Sequence, residues 1–326
     1  MENPPKLSSE INPRPLRIVY MGTPAIAAHV LERLIAGSGE NFTVVAVVTR
    51  PDQPRKRGLK LEPSEVGAVA EHHGLPTLKP TKIRTPEFLA QLKAFDPDLL
   101  VVVAYGRILP NAVLDAPRIM PMNVHASLLP RHRGAAPIEG ALLAGDPETG
   151  VTIMRITEQM DSGPMLLQRS LVIASDESQG SLKEKLAELG ASALIESLQM
   201  LKEGRLVETP QNEALVTFTK PITKEESVID WTGDATQIER MIRAFDPWPV
   251  ARTKYAGEDL LIWRARVATG SVEGEPGRLI ALKPNPTIKC GADALTLIEV
   301  QAPGRRRMAA GDFFRGRRAE VGARLG

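Results

Sequence analysis

The sequence predicts an α/β protein: a Rossmann-like, doubly wound and mostly parallel sheet, followed by a smaller β-barrel domain. Three observations predict it. Apolar, Val-rich runs at 16–21, 42–49 and 99–104 alternate with helical patterns, which is the order a parallel sheet with crossover helices requires. Those runs are continuous rather than alternating, as expected of strands covered by helices on both faces. Past residue 212 the pattern changes to short apolar runs broken by Gly and Pro, which suits a small barrel.

The first strand, 16–21, runs into Gly22, Thr23 and Pro24, and a helical pattern over 25–36 follows with Val30, Leu31, Leu34 and Ile35 on one face. Helices at 63–73 and 86–95 supply the crossovers, which right-handedness places on the sheet faces. Gly22 reads as a tight strand-to-helix turn. The phosphate-binding G-x-G-x-x-G is absent there, so no dinucleotide cofactor is expected. After a helix at 181–201, a polar stretch is expected to be a linker. The domain plan is a disordered extension over 1–15, a catalytic domain over 16–206, a linker over 207–222 and a second domain over 223–326. In that second domain a helix at 235–245 precedes strands at 260–267, 278–282 and 294–300.

Composition narrows the class further. At 326 residues, 43% hydrophobic and 25% charged, the chain has ordinary globular usage, which argues against disordered or fibrous classes. No apolar run reaches a membrane span and the start is polar, so a cytoplasmic location is expected. A single cysteine, Cys290, excludes an internal disulfide, and five scattered histidines make a metal site unexpected. A formal charge of +2 marks no general nucleic-acid binder, so local clusters matter more than the sum. One lies between Arg50 and Lys60, another between Arg305 and Arg318.

The chemistry concentrates at the end of a strand over 119–124. Side chains two apart on a strand share a face, so Asn123 and His125 point the same way, at the edge where open α/β sheets bind ligands. Asn can donate to an oxygen that gains negative charge, and a neutral imidazole can take a proton. A carboxylate is wanted to orient the imidazole, and Asp161, in the loop 158–163 between strands at 151–156 and 165–174, is the candidate. As bare pattern, Asn-x-His is weak, since a histidine beside a sheet is more often structural.

Context changes that weighting. Asn123, Val124, His125, Ala126, Ser127, Leu128, Leu129 and Pro130, continuing through Arg131, Arg133, Gly134, Ala135, Ala136 and Pro137, resemble the hallmark segment of the formyltetrahydrofolate-dependent formyltransferase family. Met160, Asp161, Ser162 and Gly163 resemble its second motif. The resemblance runs from Ile18 to about Arg318, and over that length it is to the branch whose formyl acceptor is methionyl initiator tRNA. It includes Met21–Gly22–Thr23–Pro24, the loop from Pro51 to Gly58, Val103–Ala104–Tyr105–Gly106, and Arg243 through Pro249.

The resemblance implies formyl transfer from 10-formyltetrahydrofolate to the α-amino group of methionyl initiator tRNA, with Asn123, His125 and Asp161 as the catalytic set. It implies folate contacts from Ser127, Leu128, Leu129 and Pro130, whose physical logic is a loop with free backbone groups beside an apolar wall. Arg57 falls where the family carries a tRNA-contacting arginine; Arg55, Lys56 and Lys60 flank it as further cations. The second domain is implied to be an OB-like tRNA-binding module. His132 departs from the family, which commonly has an aromatic such as Trp there. Expected partners are methionyl initiator tRNA and folate, with no membrane and no metal, for a monomeric protein. Two alternatives stay open: a formyltransferase acting on a small amine such as a ribonucleotide or nucleotide sugar, and a non-catalytic RNA-binding protein on the same scaffold. Trp231, Trp248 and Trp263 read as core before they read as base-stacking platforms.

Overall fold

The computed structural model describes residues 14–55, 60–268 and 273–326, in two compact units. The first holds 14–137 with Glu148–Val172 and Lys183–Thr219; the second holds Ile138–Pro147, Ile173–Leu182 and Lys220–Gly326. Residues 1–13 of the expected N-terminal extension lie outside the described residues.

In the first unit, β1 (Leu16–Gly22) leads through α1 (Ala25–Ala36) to β2 (Phe42–Val48), and then to a hairpin of β3 (Gln53–Arg55) and β4 (Lys60–Glu62). Next come α2 (Glu65–His72), β5 (Thr77–Leu78), α3 (Pro86–Ala94), β6 (Leu99–Val103), a single turn α4 (Asn111–Leu114) and β7 (Met120–His125). The crossover helices start where the sequence supplies caps. Ser64 accepts from the Gly67 N–H ahead of α2, and Thr85 accepts from the Phe88 N–H ahead of α3, where Pro86 occupies the first turn.

β8 (Arg133–Gly134) and α5 (Pro137–Ala144) precede two long strands, β9 (Glu148–Arg155) and β10 (Met165–Val172). The sheet order is β10-β9-β7-β6-β1-β2-β5. From β5 to β7 all pairings are parallel, whereas β9 and β10 join antiparallel. The chain thus winds outward in both directions from β1, and the β1–β6 border is the switch point at whose C-terminal edge ligands bind.

Burial explains the continuous apolar runs. All five residues of β6 are buried, and Val19, Met21, Val48, Leu100 and Val102 pack with Phe88 and Leu92 on one face. On the other, Tyr20 donates its hydroxyl to the Ala27 carbonyl at 2.6 Å. Gly22 is required sterically: a Cβ there would stand 2.8 Å from the Ala27 Cβ and 3.0 Å from the Val103 carbonyl oxygen. Its smallness lets α1 start close against the sheet, the structural reading of that turn.

After α6 (Gln179–Lys202), the polar stretch expected as a linker is tied into the first unit. Thr209 and Met165 exchange main-chain hydrogen bonds, each at 2.8 Å, and β11 (Phe218–Thr219) pairs in parallel with β8. Polarity reflects a partner here: its groups satisfy the main chain of neighbouring loops.

The second unit carries α7 (Ala235–Ala244), capped by Asp234, and strands β12 (Arg252–Tyr255), β13 (Glu258–Ala268), β14 (Leu279–Ala281), β15 (Thr287–Lys289), β16 (Ala294–Gln301) and β17 (Met308–Ala309), with α8 (Ala310–Gly316) after them. The antiparallel order β12-β13-β16-β15-β14 leaves β12 and β14 at its ends. The last residues bridge them, Leu325 pairing with Tyr255 and Arg324 with Arg278. Barrel closure therefore falls to a tail that carries no strand pattern of its own. Trp231 and Phe314 fill the core with Leu295 and Leu297, and Trp231 donates to Thr253 at 2.9 Å. Trp248 departs from the core reading, standing 58% exposed. Trp263 lies under the Arg307 guanidinium, 3.2 Å from ring centroid to Cζ.

Candidate active site

β7 ends at the C-terminal edge of the sheet and delivers Asn123 and His125 there. Both pair positions are regular, Asn123 opposite Val102 on β6 and Met154 on β9, so the shared face follows from strand geometry. His125 is 5% exposed, and its Nε2 lies 3.0 Å from the His132 carbonyl oxygen. A carbonyl only accepts, so Nε2 carries a proton in this contact. Nδ1 is therefore the nitrogen left to take up another, and it faces Asp161 Oδ1 at 3.7 Å.

Asp161 comes from the loop between β9 and β10. Its other oxygen, Oδ2, accepts from the Gly134 N–H at 2.8 Å, which fixes the carboxylate between β8 and the imidazole. The backbone at Asp161 is left-handed, φ +52°, a conformation a non-glycine residue holds only when its surroundings impose it. Two residues on, Gly163 admits no side chain, since a Cβ would lie 1.9 Å from the Arg155 carbonyl oxygen. Gly134 is equally constrained, with φ +117° and a Cβ position 2.2 Å from the Thr219 carbonyl oxygen. Asp161 thus meets His125 from a separate loop, and Asn123 precedes His125 by two residues at the same strand end.

The neighbouring segment Ser127, Leu128, Leu129 and Pro130 is anchored more tightly than a loop with free backbone groups. The Thr152 hydroxyl donates to the Ser127 carbonyl at 2.7 Å and accepts from the Leu129 N–H at 3.1 Å; Gln168 donates to the Leu129 carbonyl at 2.8 Å. The Ser127 hydroxyl donates to the Arg131 carbonyl at 2.7 Å. Leu129 is 3% exposed and belongs to the core, whereas Leu128 and Pro130 stay partly exposed.

His132, where the family commonly has an aromatic, is buried with φ +59°, and its N–H donates to the Thr217 hydroxyl at 2.8 Å. The buried Arg133 guanidinium reaches Gln211 Oε1 at 3.0 Å and Glu213 Oε1 at 2.7 Å. The Arg133 hydrogen bond holds the Glu213 carboxyl below its ordinary range. Thr217, Thr219 and Gln211 were missed as site residues by sequence reasoning, because they act through backbone and long-range partners that leave no periodicity. Of the cations expected at tRNA, Lys56 and Arg57 lie outside the described residues; Arg55 and Lys60 form the last pair of the β3–β4 hairpin. Arg50, at the head of that loop, donates to the Gly106 carbonyl at 2.8 Å. Among the described residues no cluster of His, Cys, Asp and Glu has metal-binding geometry, and no helix is long and apolar enough to cross a membrane.

Comparison with known proteins adds the family. Residues 16–198 match the formyl transferase family and residues 221–318 match its C-terminal domain. Methionyl-tRNA formyltransferase of Methylococcus capsulatus is 50% identical over 311 residues, covering 95% of this chain and 100% of that protein. The Geobacter metallireducens protein of the same name is 45% identical over 312 residues, covering 95% and 99%. Among solved structures, the N-formyltransferase of Helicobacter canadensis in complex with folinic acid and dTDP-3-aminofucose superposes with a TM-score of 0.65 at 17% identity, over 86% of this chain and 99% of that one. HypX of Aquifex aeolicus with tetrahydrofolic acid gives a TM-score of 0.58 at 18% identity, over 92% of this chain and 47% of that one. Those two likenesses speak to fold.

Proposed function

Because the chain belongs to the formyl transferase family, we propose that it carries a formyl group from 10-formyltetrahydrofolate to the α-amino group of methionyl initiator tRNA, for translation initiation. The observation that supports the chemistry is His125 Nδ1 facing Asp161 Oδ1 at 3.7 Å, with Asn123 two residues before His125 on β7. The acceptor follows from relatives of that activity matching 95% of the chain, second unit included.

Bound folate supplies the formyl carbon. Around it, the Asn123 amide N–H donates to the formyl oxygen as that oxygen gains charge while the amine attacks. Nδ1 of His125 takes the proton that the amine sheds and returns it toward the departing nitrogen, because Nε2 is already committed to the His132 carbonyl. Asp161, held by Gly134 with Oδ1 3.7 Å from Nδ1, stabilises the positive charge the ring gains as it takes up the proton. Leu128 and Pro130 shape the apolar side of the site, with Ser127 and Leu129 setting their positions.

Arg57, with Arg55, Lys56 and Lys60, contacts the tRNA backbone, and the second unit adds further contacts to the acceptor. In this reading the protein acts as a monomer in the cytoplasm, where translation initiation takes place. The test is direct: incubate the protein with methionyl initiator tRNA and 10-formyltetrahydrofolate and look for formylmethionine after deacylation. Its appearance at catalytic turnover is expected; formylation of a nucleotide sugar or ribonucleotide instead would overturn the acceptor.

A further inference from the structure

The geometry points to Gln211 as a positioning residue for the Asp161 carboxylate, a role resting on the formyl-transfer reading above. Its side-chain amide donates to the Asp161 carbonyl at 2.8 Å and to the Gly163 carbonyl at 2.8 Å. Its oxygen accepts from Arg133 Nε at 3.0 Å. Arg133 can only donate, so the amide orientation is fixed: oxygen toward the guanidinium, nitrogen toward the loop.

That loop needs an external hold. Asp161 sits in the left-handed region, φ +52°, and such geometry in a non-glycine residue persists when neighbours over-determine it. Gly134 grips the Asp161 side chain, and Gln211 grips its main chain on both sides of Ser162. Ion pairing of Arg155 with Glu208 and the Thr209–Met165 bridge fasten the chain leading to Gln211. Beyond it, Thr217 and Thr219 receive the N–H groups of His132 and Ala136. The same short segment therefore holds the loop that carries Asp161 and the carbonyl that fixes the His125 tautomer. Releasing the two carbonyls lets the carboxylate drift from Nδ1, and a displacement near 1 Å is enough to slow a preorganised site on the order of 100-fold.

The test is a double-mutant cycle in single-turnover formyl transfer with enzyme in excess. Gln211→Glu keeps the length and the Arg133 partner while removing both donations, so it should fold; Gln211→Asn, one methylene shorter, serves if it does not. In the wild-type background the expected result is a fall of about 10-fold or more in the chemical rate, with folate KM within about 2-fold. In the Asp161→Asn background the same change should cost less than about 2-fold, because Gln211 acts through Asp161. Equal losses in both backgrounds, a loss carried by KM, or no loss beside an active wild type would overturn the assignment. Wild-type activity measured alongside separates a failure of this role from a failure of the parent reading.

Discussion

The Gly134 N–H donates to Oδ2 of Asp161 at 2.8 Å, which turns the remaining oxygen of that carboxylate toward His125. The contact depends on a residue that tolerates φ +117° and on space that a methyl group would fill, since Thr219 lies against the Cβ position at 2.2 Å.

Gly134→Ala should therefore act on both stability and rate. We expect a loss of roughly 1–3 kcal/mol in unfolding free energy from backbone strain alone. Transfer should slow beyond what the loss of folded protein explains. Chemical denaturation followed by assay of the folded fraction checks it, and a wild-type rate would show that the Gly134 contact is dispensable.

Arg57→Ala should weaken tRNA binding and leave folate binding unchanged. Each phosphate neutralised contributes about one unit to the slope of log affinity against log salt, so the variant's slope should fall by about that amount. Filter binding of initiator tRNA across a salt series measures it; an unchanged slope removes Arg57 from the interface.

The barrel closure gives a stability prediction. Leu325 is 1% exposed and bridges Tyr255, so Leu325→Ala should cost roughly 2–5 kcal/mol in the second unit. Differential scanning calorimetry should show the transition of that unit moving down. A thermogram superposable on wild type would mean the tail is not part of the closure.

Cys290 supplies a pH prediction. Burial pushes its thiol up to about 11 from an ordinary value of 9.0. The folded state therefore favours the protonated thiol, and this contribution is fully present below pH 9 and lost as pH rises through about 11. Native protein should resist alkylation at pH 8 while unfolded protein reacts. Rapid stoichiometric labelling of the native protein would contradict the buried environment.

Much of this architecture was legible in the chain. The apolar runs of β1, β2 and β6 announce the doubly wound sheet, because burial on both faces is a local demand. Asn123 and His125 were legible from strand alternation, and Asp161 from its motif. Short polar strands such as Arg252–Tyr255 and Thr287–Lys289 were not, since pairing with neighbours rather than their own residues makes them strands. Gln211 stayed hidden for a related reason. Its partners are carbonyls of a distant loop, and a polar stretch that satisfies distant main chain looks like one that meets water.

The most direct measurement of the central claim is the single-turnover rate of formyl transfer to methionyl initiator tRNA for Asn123→Ala, His125→Ala and Asp161→Ala, each first shown to unfold like wild type. The account predicts losses of roughly 100-fold or more for each variant with the fold intact. A folded His125→Ala protein that transfers formyl at a near-normal rate would contradict it.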